Sequence, residues 1–169
     1  TGTFNAGPVS TLPNEDYQIP SIDYPSDVRA CGDNVQLFDK DNISSLYAYQ
    51  ATGTINEDKS VTIKGDSKAG VHYAVIYPMS TFEVGKTYTV SIKYTGDFNG
   101  FAMFKTGSEI YGNKVTTNKI TFTIKENDPT LLQLGVYVTS LGTVTITDIK
   151  ICEGTETGAW SPYGMGSIE

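Results

Sequence analysis

Long apolar runs and basic clusters are both missing from this sequence of 169 residues. No stretch approaches the ~20 apolar residues that a membrane-spanning helix needs, so we expect no membrane insertion. The twelve Lys and Arg residues are scattered among nineteen Asp and Glu residues, which gives a net charge of −7. Phosphate groups repel such a chain, which argues against binding to nucleic acid or to anionic membrane surfaces.

The start of the chain also lacks a signal peptide, because it opens with polar and small residues. Three explanations stay open: a signal peptide was removed, the sequence is a fragment of a longer protein, or the protein is exported without a signal. Cysteine is scarce as well. Cys31 and Cys152 are far apart and form no C-x-x-C pair, so two free thiols or one disulfide between the first and last strands both stay open.

Signatures of the common catalytic sites are absent. The single histidine, His72, has no G-x-S-x-G, H-E-x-x-H or P-loop motif around it, and we interpret it as a structural residue or the polar edge of a binding face. Glycosidases need two paired carboxylates. The candidate acids all lie near turns, where solvated surface charge is typical: Glu83, Glu109, Glu126 and Glu153. We therefore expect a protein that is not an enzyme.

Residues typical of strands and turns are abundant. Eleven Tyr, seven Phe and seventeen Gly, together with frequent Thr and Val, favour strands and turns over helices. The sequence shows no convincing amphipathic helix and no repeat of fixed period. Short segments of alternating pattern predict about eight to ten strands, at residues 33–38, 52–56, 60–64, 71–77, 87–95, 101–104, 108–112, 119–125, 131–139 and 142–152.

This pattern predicts an all-β fold, an antiparallel β-sandwich of the jelly-roll kind, with a closed barrel as the alternative. Its clearest hairpin is expected at residues 87–104. Residues 87–95 place Tyr88, Val90, Ile92 and Tyr94 on one face, and the Gly-rich turn 96–100 leads back into residues 101–104.

The last predicted strand, residues 142–152, contains a change of parity. Val144 and Ile146 have even numbers, whereas Ile149 and Ile151 have odd numbers. All four can face one core only if an extra residue is inserted, so we predict a β-bulge at Thr147-Asp148. The only tryptophan, Trp160, follows beside Pro162 and Tyr163, and we interpret it as a pin that holds the chain where it leaves the domain.

The first 33 residues have a different composition. They contain Pro8, Pro13, Pro20 and Pro25 and show no sustained alternation, which predicts an extended arm. This arm lies against the sandwich, lies against a neighbouring subunit, or is a solvated linker. We predict an arm at 1–33, a β-sandwich at 34–164 and an exit to a following segment at 165–169.

Two phrases resemble those of a known group of proteins. The sequence resembles, at two places, motifs that frame modules of tail-associated proteins of phages and prophages of Gram-positive bacteria. These places are residues 24–39, YPSDVRACGDNVQLFD, and residues 149–164, IKICEGTETGAWSPYG. Residues 84–92, VGKTYTVSI, are similar to a strand shared by these modules and by jelly-roll carbohydrate-binding modules. The sequence departs from the phrases at Cys31 and Cys152, where Val or a polar residue is expected.

The resemblance implies a β-sandwich in a phage tail tip, baseplate or fibre protein, made in the bacterial cytoplasm and located in the virion. Carbohydrate binding is the role it implies, with a bacterial surface polysaccharide and other tail proteins as partners. The alternative is a structural or oligomerisation module of the tail without a glycan ligand, for which a homotrimer is one option.

Aromatic side chains away from the predicted core are the candidate sugar site, since the C–H faces of sugars stack on aromatic rings. Tyr73 and Tyr77 share one face of their strand. Gln133 and Tyr137 lie opposite the Leu/Val face of theirs. We predict that these four residues form a concave carbohydrate-binding face, with burial against a second sheet or a subunit as the alternative.

Calcium is the one cofactor that the sequence suggests, beside the alternative that no metal is bound. Asp39 and Asp41 are clustered oxygen ligands, but they do not fit an EF-hand loop. Jelly-roll carbohydrate modules hold a structural calcium between an early loop and the last strand, and that resemblance implies Asp39, Asp41 and Asp148 as ligands. Otherwise Asp148 bonds amides freed by the bulge and Asp39 caps a turn.

Overall fold

The computed structural model describes residues 34–77, 81–106 and 108–167. Ten strands occur in this part of the chain. They are β1 (Ser45–Tyr49), β2 (Ala51–Ile55), β3 (Val61–Gly65), β4 (Tyr73–Tyr77), β5 (Thr87–Gly96), β6 (Phe98–Phe104), β7 (Ile110–Val115), β8 (Lys119–Thr123), β9 (Gln133–Val138) and β10 (Thr143–Glu153). A 3-10 helix at Lys40–Asn42 precedes them. No helix of the described residues is long and apolar enough to span a membrane.

The strands form two five-stranded sheets, and every pairing is antiparallel. Sheet I has the order β8-β5-β10-β3-β2, and sheet II has the order β1-β4-β9-β6-β7. The predicted antiparallel sandwich is therefore confirmed. The predicted arm at residues 1–33, and Cys31 within it, lie outside the described residues.

The core lies between the two sheets and is built from alternate side chains of the strands. Sheet I contributes the predicted inward set of β5, including Val90 and Ile92, and sheet II contributes Leu134 and Val136 from β9. Burial of one such side chain stabilises the fold by about 1.5–3 kcal/mol. The apolar residues of β5 and β9 alternate along the sequence because only one face of each strand points into this core.

The predicted hairpin at residues 87–104 is wrong. Strand β5 pairs with β8 and β10 in sheet I, whereas β6 belongs to sheet II. The chain crosses between the sheets at Asp97, whose N–H donates to the Thr143 carbonyl (2.8 Å) and whose carboxylate accepts the Thr143 N–H (2.9 Å). Both hydrogen-bonding edges of β5 are occupied by other strands, so β6 has no place beside it.

The predicted bulge in the last strand is confirmed. The register between β10 and β5 shifts between Ile146 and Asp148, so Thr147 has no partner in the ladder. Ile146 before the bulge and Ile149 and Ile151 after it all belong to the core. The Thr147 hydroxyl donates to the carbonyl of Lys93 across the shift (3.2 Å).

The segment before the 3-10 helix differs from the prediction. The sequence predicts a strand at residues 33–38, but residues 34–39 form none, and Val35 is 43% exposed. The buried positions are instead Gln36 and Phe38. The even-numbered residues of this segment face inward because the Gln36 side chain finds hydrogen-bond partners inside the domain.

Gln36 satisfies both ends of its amide while it is buried. Its Nε2 donates to the carbonyls of Ile149 (2.8 Å) and Ser161 (3.3 Å), and its Oε1 accepts the N–H groups of Phe38 (3.0 Å) and Ile151 (2.9 Å). A buried amide is tolerated only when it is paired in this way. This side chain ties the start of the domain to β10 and to the tail that follows it.

The tail after β10 folds back along residue 36. The N–H of Gly164 donates to the Gln36 carbonyl, and the N–H of Gln36 donates to the Met165 carbonyl, both at 2.9 Å. Contacts continue to the buried Ser167, beyond the predicted end of the sandwich at residue 164. Trp160 is 43% exposed, and the Lys40 ammonium group stands 5.6 Å from the centroid of its ring. Its role as the pin of the tail stays a prediction.

Candidate functional site

The outer face of sheet II carries a group of tyrosines. Cross-strand partners point to the same side of a sheet, and the register pairs Tyr49 with Tyr73 and Tyr73 with Tyr137. Tyr47 and Tyr77 lie on the same side at alternate positions of β1 and β4. We call the set Tyr47, Tyr49, Tyr73, Tyr77 and Tyr137 the tyrosine face.

Ring contacts join most of this face into one surface. Tyr73 stacks on Tyr49, with ring centroids 5.5 Å apart and planes at 27°. On its other side Tyr73 is 5.2 Å from Tyr137 and 5.2 Å from Phe104. Tyr73, Tyr137 and Phe104 belong to a cluster of buried side chains separate from the core between the sheets. Aromatic pairs at such separations attract one another and hold their rings in place.

Exposure divides the face into a supporting part and a contact part. Tyr73 and Tyr137 are only 6% and 9% exposed, because their neighbours cover them. Tyr47 and Tyr49 on the edge strand β1 are 41% and 42% exposed. The rings of β1 are therefore the ones that an approaching molecule meets first, and the buried tyrosines fix their positions.

A glycine in the middle of sheet II makes the close packing feasible. The Phe104 ring lies directly over Gly135, where an added Cβ would be 2.3 Å from the nearest ring carbon. The Phe104 side chain is consequently only 1% exposed, although it points away from the core between the sheets. Any side chain at position 135 would displace this ring from beneath Tyr73.

Gln133 shares this side of the sheet, but it is turned toward the backbone. In the orientation that satisfies its neighbours, its amide nitrogen donates to the carbonyls of Phe104 (3.1 Å) and Lys105 (3.2 Å). The residue is 5% exposed. It holds the end of β6 to β9, and its reach toward a ligand is small.

Burial also sets the protonation of the phenols. Desolvation raises the pKa of Tyr73, Tyr77 and Tyr137, and for Tyr73 and Tyr77 the neighbouring tyrosines add to the effect. The phenols therefore stay neutral around pH 7 and keep an O–H donor. A face with neutral rings and hydroxyl donors has the chemistry that sugar recognition requires.

The structure brings the four predicted sugar-site residues onto one side of sheet II: Tyr73, Tyr77, Gln133 and Tyr137. Their role as a binding site stays a prediction. Sequence reasoning missed the more exposed Tyr47 and Tyr49. Their spacing of two, with Leu46 and Ala48 packed against the core, is the signal that identifies them as a strand face.

The three predicted metal ligands line a single cavity of about 110 Å³, which they share with Trp160 and Tyr163. Asp39 accepts the N–H of Asp41 (3.0 Å) and caps the 3-10 helix, as the alternative interpretation predicted. Within residues 34–77, 81–106 and 108–167, no three His, Cys, Asp or Glu side chains are grouped to hold a metal ion. The calcium site at Asp39, Asp41 and Asp148 stays a prediction.

His72 occupies a structural position. It is 4% exposed and precedes β4. Its Nε2 lies 2.7 Å from the carbonyl oxygen of Lys68 and 3.5 Å from the carboxylate of Asp66. These contacts fix the loop that leads into β4.

Three of the four acids considered as glycosidase candidates form ion pairs at the surface. Lys86 lies 3.2 Å from Glu83 and 3.6 Å from Glu153, and Lys105 lies 3.3 Å from Glu109. The acids in these pairs are exposed, so the pairs contribute little to stability. Their surroundings are those of solvated surface charges.

Cys152 is fully buried in β10, and its thiol contacts the Thr157 carbonyl at 3.7 Å. Burial raises the pKa of this thiol, and nearby Lys150 opposes the shift. The structure records Cys152 as a free cysteine, while Cys31 lies outside the described residues. A buried thiol of raised pKa is a poor nucleophile.

No protein-family model matches the chain, and no curated protein matches it. Solved structures do resemble it. The apo form of the carbohydrate-binding module BiXyn10A CBM1 is 13% identical, with a TM-score of 0.50 over 72% of this chain and 98% of that one. A CBM4 structure is 14% identical, with a TM-score of 0.42 over 64% and 86% of the two chains.

A chain from the crystal structure of accessory secretory proteins 1, 2 and 3 of Streptococcus pneumoniae is also similar, at 14% identity and a TM-score of 0.41 over 70% of this chain and 95% of that one. At such identities the likeness concerns the fold. The chain has the β-sandwich fold found in carbohydrate-binding modules, and the function must be argued from its own surface.

Proposed function

We propose that this protein is a non-enzymatic carbohydrate-binding module and that the tyrosine face is its binding surface. The observation that carries the proposal is the exposure of the Tyr47 and Tyr49 rings beside the buried Tyr73. Sugars present C–H faces that stack on such rings, and phenol hydroxyls bond their hydroxyl groups. A pre-ordered surface also lowers the entropic cost of binding.

The fold supports this proposal by likeness to BiXyn10A CBM1, whose sandwich matches over 72% of this chain. The surroundings of the acidic residues support the absence of catalysis, since Glu83, Glu109 and Glu153 lie in exposed pairs with lysines. A glycosidase would hold one carboxyl in an environment that keeps it protonated.

The two phrases at residues 24–39 and 149–164 support a setting in the tail of a phage or prophage, and so a location in the virion. There the module contacts glycans of the bacterial surface and adjoins other tail proteins. The same exposed rings also suit a second candidate function, an interface between copies of the chain in a structural or oligomerisation module, including a homotrimer.

A glycan array followed by calorimetric titration of the best ligand tests the proposal. Tyr49→Ala should weaken binding about three- to tenfold, because an aromatic contact contributes about 0.5–1.5 kcal/mol. Tyr163→Ala is the matched control, since Tyr163 is 61% exposed and lies off the face. It should bind like the wild type.

Absence of any ligand on a broad array would contradict the carbohydrate-binding proposal, as would equal losses in the two variants. Light scattering of the same proteins addresses the second candidate. An oligomer that Tyr49→Ala dissociates, in a protein that binds no glycan, would favour the interface between copies.

A further inference from the structure

Lys114 lies at one end of the tyrosine face. It is an exposed residue of β7, and its Nζ stands 4.5 Å from the centroid of the Tyr137 ring. Tyr137 in turn contacts Tyr73, and Tyr73 contacts Tyr49. A row of three rings that ends in an ammonium group therefore crosses sheet II from β1 to β7.

The position of this ammonium group depends on a glycine. Gly100 on β6 lies between the strand of Lys114 and the strand of Tyr137, and it has a φ of 104°. A Cβ at this position would be 3.0 Å from Cε and 3.2 Å from Cγ of Lys114. The stem of Lys114 thus lies across bare backbone, and this path carries the charge to Tyr137.

Lys114 is the charged member of this surface. The other outward positions that the register assigns to these strands are uncharged, among them Ser45, Val75 and Ala102. Lys105 and Glu109, in the connection between β6 and β7, pair with each other at 3.3 Å. Among the described residues no carboxylate lies within 4.0 Å of the Lys114 ammonium group.

We propose that the tyrosine face selects glycans that carry an anionic group, a carboxylate or a phosphate, and that Lys114 is the residue that determines this specificity. The inference rests on the proposed function. A saccharide that stacks on the exposed Tyr49 ring and extends along the row meets the ammonium group at its end. The net charge of −7 repels anions at long range, so a preference for them requires a local cation.

The experiment compares matched acidic and neutral ligands. The probes are a galacturonic-acid hexamer and its methyl ester, and a glucose-bearing glycerol-phosphate polymer and a neutral glucose hexamer. Calorimetry of the full chain at low salt should show that the acidic member of at least one pair binds more tightly. The pair that shows the preference identifies the anionic group as carboxylate or phosphate.

Lys114→Met should lower the affinity for the acidic ligand about three- to tenfold and leave the affinity for its neutral counterpart unchanged, since a charged hydrogen bond is lost. Lys114→Arg should keep the preference. Lys105→Met is the matched control, because it removes the same charge from the paired lysine. About 1 M salt should abolish the preference in the wild type, where the Debye length falls to about 3 Å.

Equal affinities within both pairs would overturn the inference and leave the proposed function standing. So would a rise in neutral affinity for Lys114→Met with no change in preference, because Lys114 would then merely cover the Tyr137 ring. If neither these probes nor a broad array yields a ligand, the proposed function itself fails.

Discussion

Asp128 shows how a single carboxylate organises the turn before β9. It accepts the N–H of Lys125 (2.8 Å) and the hydroxyl of Tyr111 (2.7 Å). These two hydrogen bonds hold the pKa of Asp128 below its usual value. Burial, together with the Asp128 carboxylate, raises the pKa of Tyr111 to about 12. The ionised acid and the protonated phenol therefore stabilise each other over a wide pH range.

Because of this pair, we expect Asp128→Asn to lower the free energy of unfolding by an amount that depends on pH. Because the folded pKa of Asp128 is lowered, its stabilising effect is complete above the unfolded pKa of about 3.9 and is lost as pH falls through the folded pKa. Urea unfolding at about pH 7 should show the variant as less stable than wild type, and the difference should shrink toward about pH 2. The exposed Glu126→Gln is the control. A difference that is constant with pH would contradict the assignment.

Strand β10 and the tail behind it depend on a buried amide. Gln36→Leu would remove four hydrogen bonds and leave the backbone groups of residues 38, 149, 151 and 161 without that partner. We expect a loss of about 3 kcal/mol or more in the free energy of unfolding, measured in urea. Gln133→Leu makes the same exchange on the tyrosine face and should lower the free energy of unfolding by less. Equal losses would show that Gln36 is not the tie between the two ends of the domain.

Strands and their inward residues could be predicted where one face of the strand points into the core between the sheets. The alternation in β5 and β9, and the parity change at Thr147, follow from a period of two and from one core. Partner choice could not be predicted, because the turn at residues 96–100 fits a hairpin as well as a crossing between sheets. The burial of Gln36 could not be predicted for a similar reason, since three of its four hydrogen-bond partners lie more than 100 positions away.

The candidate site was predictable in part. Tyr73 and Tyr137 could be assigned to a face outside the core because their neighbours in sequence are clearly inward. Phe104 could not, since its outward direction depends on the space above Gly135. The contribution of β1 was missed because five residues give a weak alternation signal.

At the scale of the whole molecule, both sheets share one core cluster, and the tail is bonded to it through Gln36. We therefore expect one cooperative unfolding transition. Trp160, the only tryptophan, lies in the tail and reports on it by fluorescence. Thermal curves from tryptophan fluorescence and far-ultraviolet circular dichroism should coincide in wild type. An earlier fluorescence transition would mean that the tail detaches before the sandwich unfolds.

The central place of β10 in sheet I has a consequence for the order in which the protein is made. Without β10, sheet I would consist of two separate pairs, β8-β5 and β3-β2. The ribosome delivers the joining strand after the nine other strands of the described residues, so the growing chain carries two unfilled sheet edges until residue 153 emerges. Such edges invite pairing with other chains. We therefore expect sheet I to close only after residue 153 has left the ribosome.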